Sequence, residues 1–169
     1  MDDVEAIKQL KARYFRTMDT KDWVGLRQVF ADDVVMDTTA SGGGVVSGAD
    51  AFVEFLEQAL AGAVTVHHGH MPEITLTSST TAAGIWALHD HIVWPDGTRL
   101  QGDGHYHETY ELTDGAWRIT SSTLTGCTWI SRDRRRRAGR SRTSRAAPAS
   151  PGGHLSGTGR RVARGPHSW

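Results

Sequence analysis

The chain has 169 residues, 38% of them hydrophobic, and a formal net charge of zero. That is enough for one domain with a real core, not two, and no run of 18 apolar residues offers a membrane span. The neutral total hides a split: residues 1–130 hold 18 of the 19 acids and 8 of the 19 basic residues, whereas residues 131–169 hold 11 arginines and one acid.

The opening segment, MDDVEAIKQLKARYF, is charged and helical and does not read as a secretory signal. Over residues 2–18, Val4, Ile7, Leu10, Tyr14 and Met18 recur at helical spacing, with Lys8, Lys11 and Arg16 expected on the opposite side. Tyr14 lies on the buried stripe, so its hydroxyl needs an internal partner. Asp19 is expected just past the helix end. Asp22 caps a second helix, Trp23 to Phe30, which Ala31-Asp32-Asp33 breaks. Val34 to Thr38 reads as a strand, Gly42-Gly43-Gly44 as a loop, and Val45-Val46 as a short return strand. No lysine-bearing phosphate loop surrounds those glycines. A third helix starts near Ser47-Gly48-Ala49-Asp50 and buries Phe52, Phe55, Leu56 and Leu60.

Next comes a long hairpin, Thr65 to Trp94, with the polar tip Thr77-Ser78-Ser79-Thr80. A two-residue turn at Ser78-Ser79 sets His67 opposite Asp90; a longer loop sets His67 opposite Ile92, one diagonal step away. Either register puts His67 and Asp90 on one face with Trp86, Leu88, Ile92 and Trp94. An ionisable pair on an apolar wall is costly, and it is a common way to build a tuned base. Pro95-Asp96-Gly97 is a turn, followed by a strand from about Arg99 to Leu112. Thr113-Asp114-Gly115 is another turn, and the last strand runs from Trp117 to about Ile130. Three N-terminal helices followed by long strands predict an α+β fold: a cone-shaped, curved antiparallel sheet wrapped over helices to leave an internal pocket.

The lone Cys127 reads as a small hydrophobe near a strand end; with no disulfide partner it fits a reducing compartment, so a cytoplasmic location is expected. From Ser131 onwards Arg, Gly, Ser, Pro and Ala dominate and hydrophobic periodicity fades, which marks 131–169 as a basic, disordered tail behind a 1–130 domain. Two origins compete for it: a segment that touches anionic partners such as nucleic acid weakly, or out-of-frame translation of GC-rich coding DNA.

Seven of the nine histidines precede the tail. His89/His91 and His105/His107 form H-x-H pairs on neighbouring strands, with Glu108 and Glu111 near. That is a pattern for zinc or iron, but these pairs share a face with Ile85 and Ala87 and are expected on the wet outer side, so no metal site is assigned. The pocket wall of Trp86, Leu88 and Trp94, with Met71 and Tyr106, suits a flat hydrophobic ligand. A phenol from Tyr14 beside His67 and Asp90 suits proton abstraction next to a carbonyl, the phenol stabilising the enolate. No serine or cysteine nucleophile motif and no dinucleotide fingerprint is present.

Three stretches in order, VEAIKQLKARYFRTMDTKDW, HHGHMPEITLTSSTTAAGIWALHD and YELTDGAWRI, resemble the SnoaL-like branch of the nuclear transport factor 2-like superfamily over residues 2–125. Within it the resemblance is nearest to bile-acid 7α-dehydratases; scytalone dehydratases and polyketide cyclases are more distant. The resemblance implies a cofactor-free pocket in a homo-oligomer, dimer or trimer. It implies site residues at Tyr14, Asp19, His67 and Asp90, and a lyase or isomerase acting on a hydrophobic ring ketone, steroid-like or polyketide-like. An arginine of the dehydratases falls at about Gly126 here. The alternatives are a non-catalytic small-molecule-binding protein of the same fold, and a metal-dependent enzyme using the H-x-H pairs.

Overall fold

A computed structural model describes residues 2–132. The expectations placed on the Cys127 side chain and on the tail beyond residue 132 fall outside the described residues.

Helix α1 (Asp3–Asp19) starts where the Asp2 carboxylate accepts from the Glu5 amide at 2.8 Å. Its last residue is Asp19, and Lys21 turns the chain out with φ +61°. The buried face of α1 is Ile7, Leu10, Lys11, Tyr14, Thr17 and Met18. Lys11 therefore points inward, not away from the stripe. Helix α2 is shorter than the sequence suggests, Trp23–Arg27, because Phe30 already begins strand β1 (Phe30–Asp37). The Asp-Asp pair sits inside that strand, where pairing slips between Phe30 and Val35. A 3-10 turn (Thr39–Ser41) and strand β2 (Val45–Ser47) lead to helix α3 (Ala49–Ala59).

The long strands are β3 (Val64–Leu76), β4 (Thr81–Val93), β5 (Arg99–Thr113) and β6 (Ala116–Arg132). One six-stranded sheet runs β2-β1-β6-β5-β4-β3. The antiparallel expectation holds except at one seam: β1 pairs parallel with β6, so the sheet is mixed. It is curved and unclosed, and α1 and α3 pack across its inner face.

His67 does pair with Asp90, although the tip is not a two-residue turn. The connection is Thr77–Thr80, closed by Thr77 and Ser78 amides donating to the Thr81 carbonyl. That longer loop shifts the register by one, pairing Leu76 with Ala82. A bulge between His70 and Glu73, where Met71 takes φ +42°, shifts it back. Two opposite offsets thus restore the pairing at the site. Close packing behind it depends on Gly69: a Cβ there would meet the Phe15 ring at 2.7 Å.

The core lies between helices and sheet, with Tyr14, Phe30, Phe52, Trp86, Tyr106, Tyr110 and Ile119 at 5% exposure or less. Edge-on ring contacts link Tyr14 to Phe15, Phe30 and Tyr106. Among the described residues no helix is long and apolar enough to cross a membrane.

Candidate active site

A cavity of about 140 Å³ opens between α1, α3 and the inner face of the sheet. Tyr14 and Met18 of α1, His67 of β3, Asp90 of β4, Tyr106 of β5 and Ser122 of β6 line it. Phe52, Phe55 and Leu56 of α3 form the opposing apolar wall. Strand alternation places the sheet residues: His67, Asp90, Tyr106 and Ser122 all face inward from neighbouring strands.

His67 and Asp90 are each 6% exposed. Cross-strand pairing suggests that Asp90 holds the imidazole, but the structure gives that task to Asp19. The His67 Nδ1 lies 2.6 Å from Asp19 Oδ1, and the His67 amide donates to Asp19 Oδ2 at 3.0 Å. Thr65 donates to Asp19 Oδ1 at 2.9 Å and accepts from Lys21 Nζ at 2.7 Å. The end of α1 is thereby clamped to β3, and the carboxylate is held against one ring nitrogen. With Nδ1 engaged, Nε2 is the nitrogen available for proton transfer.

The two carboxylates respond oppositely to this setting. Burial pushes the Asp19 carboxyl up, but hydrogen bonds from the His67 ring and amide and from Thr65, with the His67 charge, outweigh it and hold Asp19 below its usual range. For Asp90, burial wins over the attraction of His67 and Lys11, and its carboxyl is pushed up to about 6. Asp90 Oδ1 is buried with no hydrogen-bond partner among the described residues. A buried carboxylate oxygen is costly to leave unpaired, and this one stands on a residue of the cavity wall, where it can accept from a donor. Burial first, then nearby carboxylates, raises Tyr14 and Tyr106 well above the usual phenol range, so both stay protonated donors.

Of the other expected wall residues, Trp86 and Leu88 are buried in the core beside the cavity, not along it. The Trp86 Nε1 donates to the Tyr110 hydroxyl at 2.8 Å, and the Trp94 Nε1 donates to the Ala59 carbonyl at 3.0 Å. Met71, on the bulge, is 86% exposed. Tyr106 lines the cavity as expected. The H-x-H pairs lie on the outer face, His91, His105 and His107 exposed, whereas Glu108 is 3% exposed on the inner face. Among the described residues no group of three His, Cys, Asp or Glu is placed to hold a metal ion.

The sequence reading missed a buried pair behind the cavity, Lys11 and Glu108. Their Nζ and Oε1 are 2.5 Å apart, with side chains 1% and 0% exposed. The spacing 7, 11, 14, 18 carried the signal, because it is the helical stripe itself; the charge on Lys11 hid it.

The SnoaL-like domain model matches residues 1–123. The chain belongs to the SnoaL-like family. Solved structures agree in fold. A protein of Novosphingobium aromaticivorans, named as an aromatic ring hydroxylase, is 22% identical with a TM-score of 0.69, over 77% of this chain and 96% of that one. A scytalone dehydratase homologue from the same organism is 20% identical with a TM-score of 0.67, over 90% and 95%. A type 2 hexachlorocyclohexane dehydrochlorinase, LinA, is 19% identical with a TM-score of 0.65, over 75% and 87%. This SnoaL-like domain falls within the nuclear transport factor 2-like superfamily.

Proposed function

We propose that this SnoaL-like protein is a cofactor-independent lyase or isomerase that removes a proton beside a carbonyl on a neutral, hydrophobic ring compound. The observation that carries this is the Asp19–His67 pair at 2.6 Å, with His67, Tyr14 and Asp90 lining one cavity. Asp19 keeps the proton on Nδ1, so Nε2 accepts the proton from carbon. Tyr14, and Tyr106 beside it, donate to the carbonyl oxygen as the enolate forms. In a dehydration the imidazolium then returns its proton to a β-hydroxyl. The C–O bond breaks, water leaves, and a conjugated double bond remains. Asp90 Oδ1 accepts from that hydroxyl and holds it for departure.

Size and charge support the substrate class. A cavity of about 140 Å³ compares with the roughly 150 Å³ that accommodates benzene, so one six-membered ring fits inside. A steroid or fused polyketide would leave its other rings at the mouth; nearness to bile-acid 7α-dehydratases belongs to the same proposal. Among the described residues no Lys or Arg lines the cavity, and Asp37 and Asp90 do, which favours neutral ligands.

The test is a thermal-shift screen of the full chain with cyclic hydroxyketones, monocyclic and fused, followed by turnover assays on each stabilising compound. A ligand at a hundred times its Kd stabilises by about 2.7 kcal/mol. Conversion by the wild type that is lost in His67→Ala supports the proposal. Binding without conversion favours a binding protein of the same fold, and no binding by any ring compound overturns both.

A further inference from the structure

Lys11 reaches the aromatic floor of the cavity from below. Its Nζ stands 3.6 Å from the centroid of the Tyr106 ring and 4.1 Å from that of Tyr14. These are the two phenols that line the cavity. Glu108 holds the ammonium and also accepts from the Tyr110 hydroxyl at 2.6 Å and the Ser122 hydroxyl at 3.2 Å. The pair is therefore an oriented dipole. Its positive end lies against the cavity phenols, and its negative end accepts from Tyr110 and from the cavity-lining Ser122.

A buried ion pair is weak evidence for stability, since well-packed apolar residues of similar volume often do as well or better. A cation over the face of a phenol draws electron density from the ring, and in a dry site that field is little screened. A phenol so placed donates more strongly to an oxygen that gains negative charge.

We propose that Lys11, held by Glu108, is a positioning residue that makes Tyr14 and Tyr106 stronger donors toward an oxyanion formed in the cavity. This rests on the ring-binding, enolate-stabilising site proposed above.

The probe pair is 4-nitrophenol, whose phenolate is coloured, and 4-nitroanisole, which cannot ionise; both are single rings. Absorbance titration of the full chain gives the ratio of bound phenolate to bound phenol. In Lys11→Met/Glu108→Gln, which removes both charges together, that ratio is expected to fall about tenfold while 4-nitroanisole binds as in the wild type. An unchanged ratio, or an equal loss for both probes, overturns the proposal and leaves the ring-binding site standing. Failure of the wild type to bind either probe overturns the site and the proposal together. Should that double variant not fold, Lys11→Gln/Glu108→Gln takes its place, because it removes both charges yet keeps a hydrogen-bonding pair; the same fall in the phenolate ratio supports the proposal and an unchanged ratio overturns it.

Discussion

Two histidine–aspartate pairs sit on opposite faces of one sheet, and their contact geometry is nearly the same. His67 and Asp19 approach to 2.6 Å, His89 and Asp103 to 2.8 Å. What differs is the surroundings. The first pair has side chains 6% and 23% exposed, the second 39% and 60%. On the inner face the pair meets a cavity, two phenols and an unpartnered carboxylate oxygen. On the outer face it meets water, which screens it to an ordinary surface contact. A His–Asp distance alone thus identifies nothing; the face of the strand decides.

Turnover should separate the two pairs most sharply. With any substrate the protein converts, His67→Ala is expected to lower kcat by about 10²–10⁴-fold, the range of a lost general base. His89→Ala is expected to leave kcat at the wild-type value. Equal losses would erase the distinction between the faces.

Stability sharpens the same contrast. Lys11→Met leaves Glu108 buried without its cation and is expected to cost about 3–5 kcal/mol in urea unfolding. The exposed Lys8, 3.8 Å from Glu5, is the control; Lys8→Met should stay within about 0.5 kcal/mol.

A smaller effect with a definite pH signature is expected at Asp90. Its folded carboxyl titrates at about 6 against an ordinary 3.8. The folded state therefore holds its proton more tightly, and the group's stabilising contribution is full below about 4 and lost as pH rises through about 6. Asp90→Asn removes that loss and is expected to exceed the wild type by on the order of 3 kcal/mol above the window, with the gap closing as pH falls through it. Chemical-denaturation midpoints across that range measure it. A pH-independent gap would place the titration elsewhere.

The smallest effect belongs to the outer pair. A double-mutant cycle on His89 and Asp103 is expected to return about 0.2–1 kcal/mol, shrinking in salt.

Much of this was legible in the sequence because the hairpin carries strict alternation. Trp86, Leu88, Asp90 and Ile92 at every second position marked which histidine of the β3 cluster faced inward, and the two one-residue offsets cancel before the site. The partner of His67 was not legible. Asp19 is 48 residues away in sequence, and it meets the ring only because α1 crosses β3, a tertiary relation that no local period encodes. Lys11 was hidden for another reason: a lysine on a helical stripe is read as exposed, and only Glu108, inward on β5, makes its burial tolerable. The parallel β1–β6 seam escaped notice because strand patterns are the same in either pairing direction.

The role given to the Asp19–His67 pair is tested most directly by the tautomer of His67. Nitrogen-15 NMR of histidine-labelled protein, at a pH where imidazoles are neutral, distinguishes Nδ1–H from Nε2–H. An Nδ1–H tautomer for His67 that is lost in Asp19→Asn is the expected result. An Nε2–H tautomer in the wild type would leave no lone pair at the cavity and would contradict a base in that position.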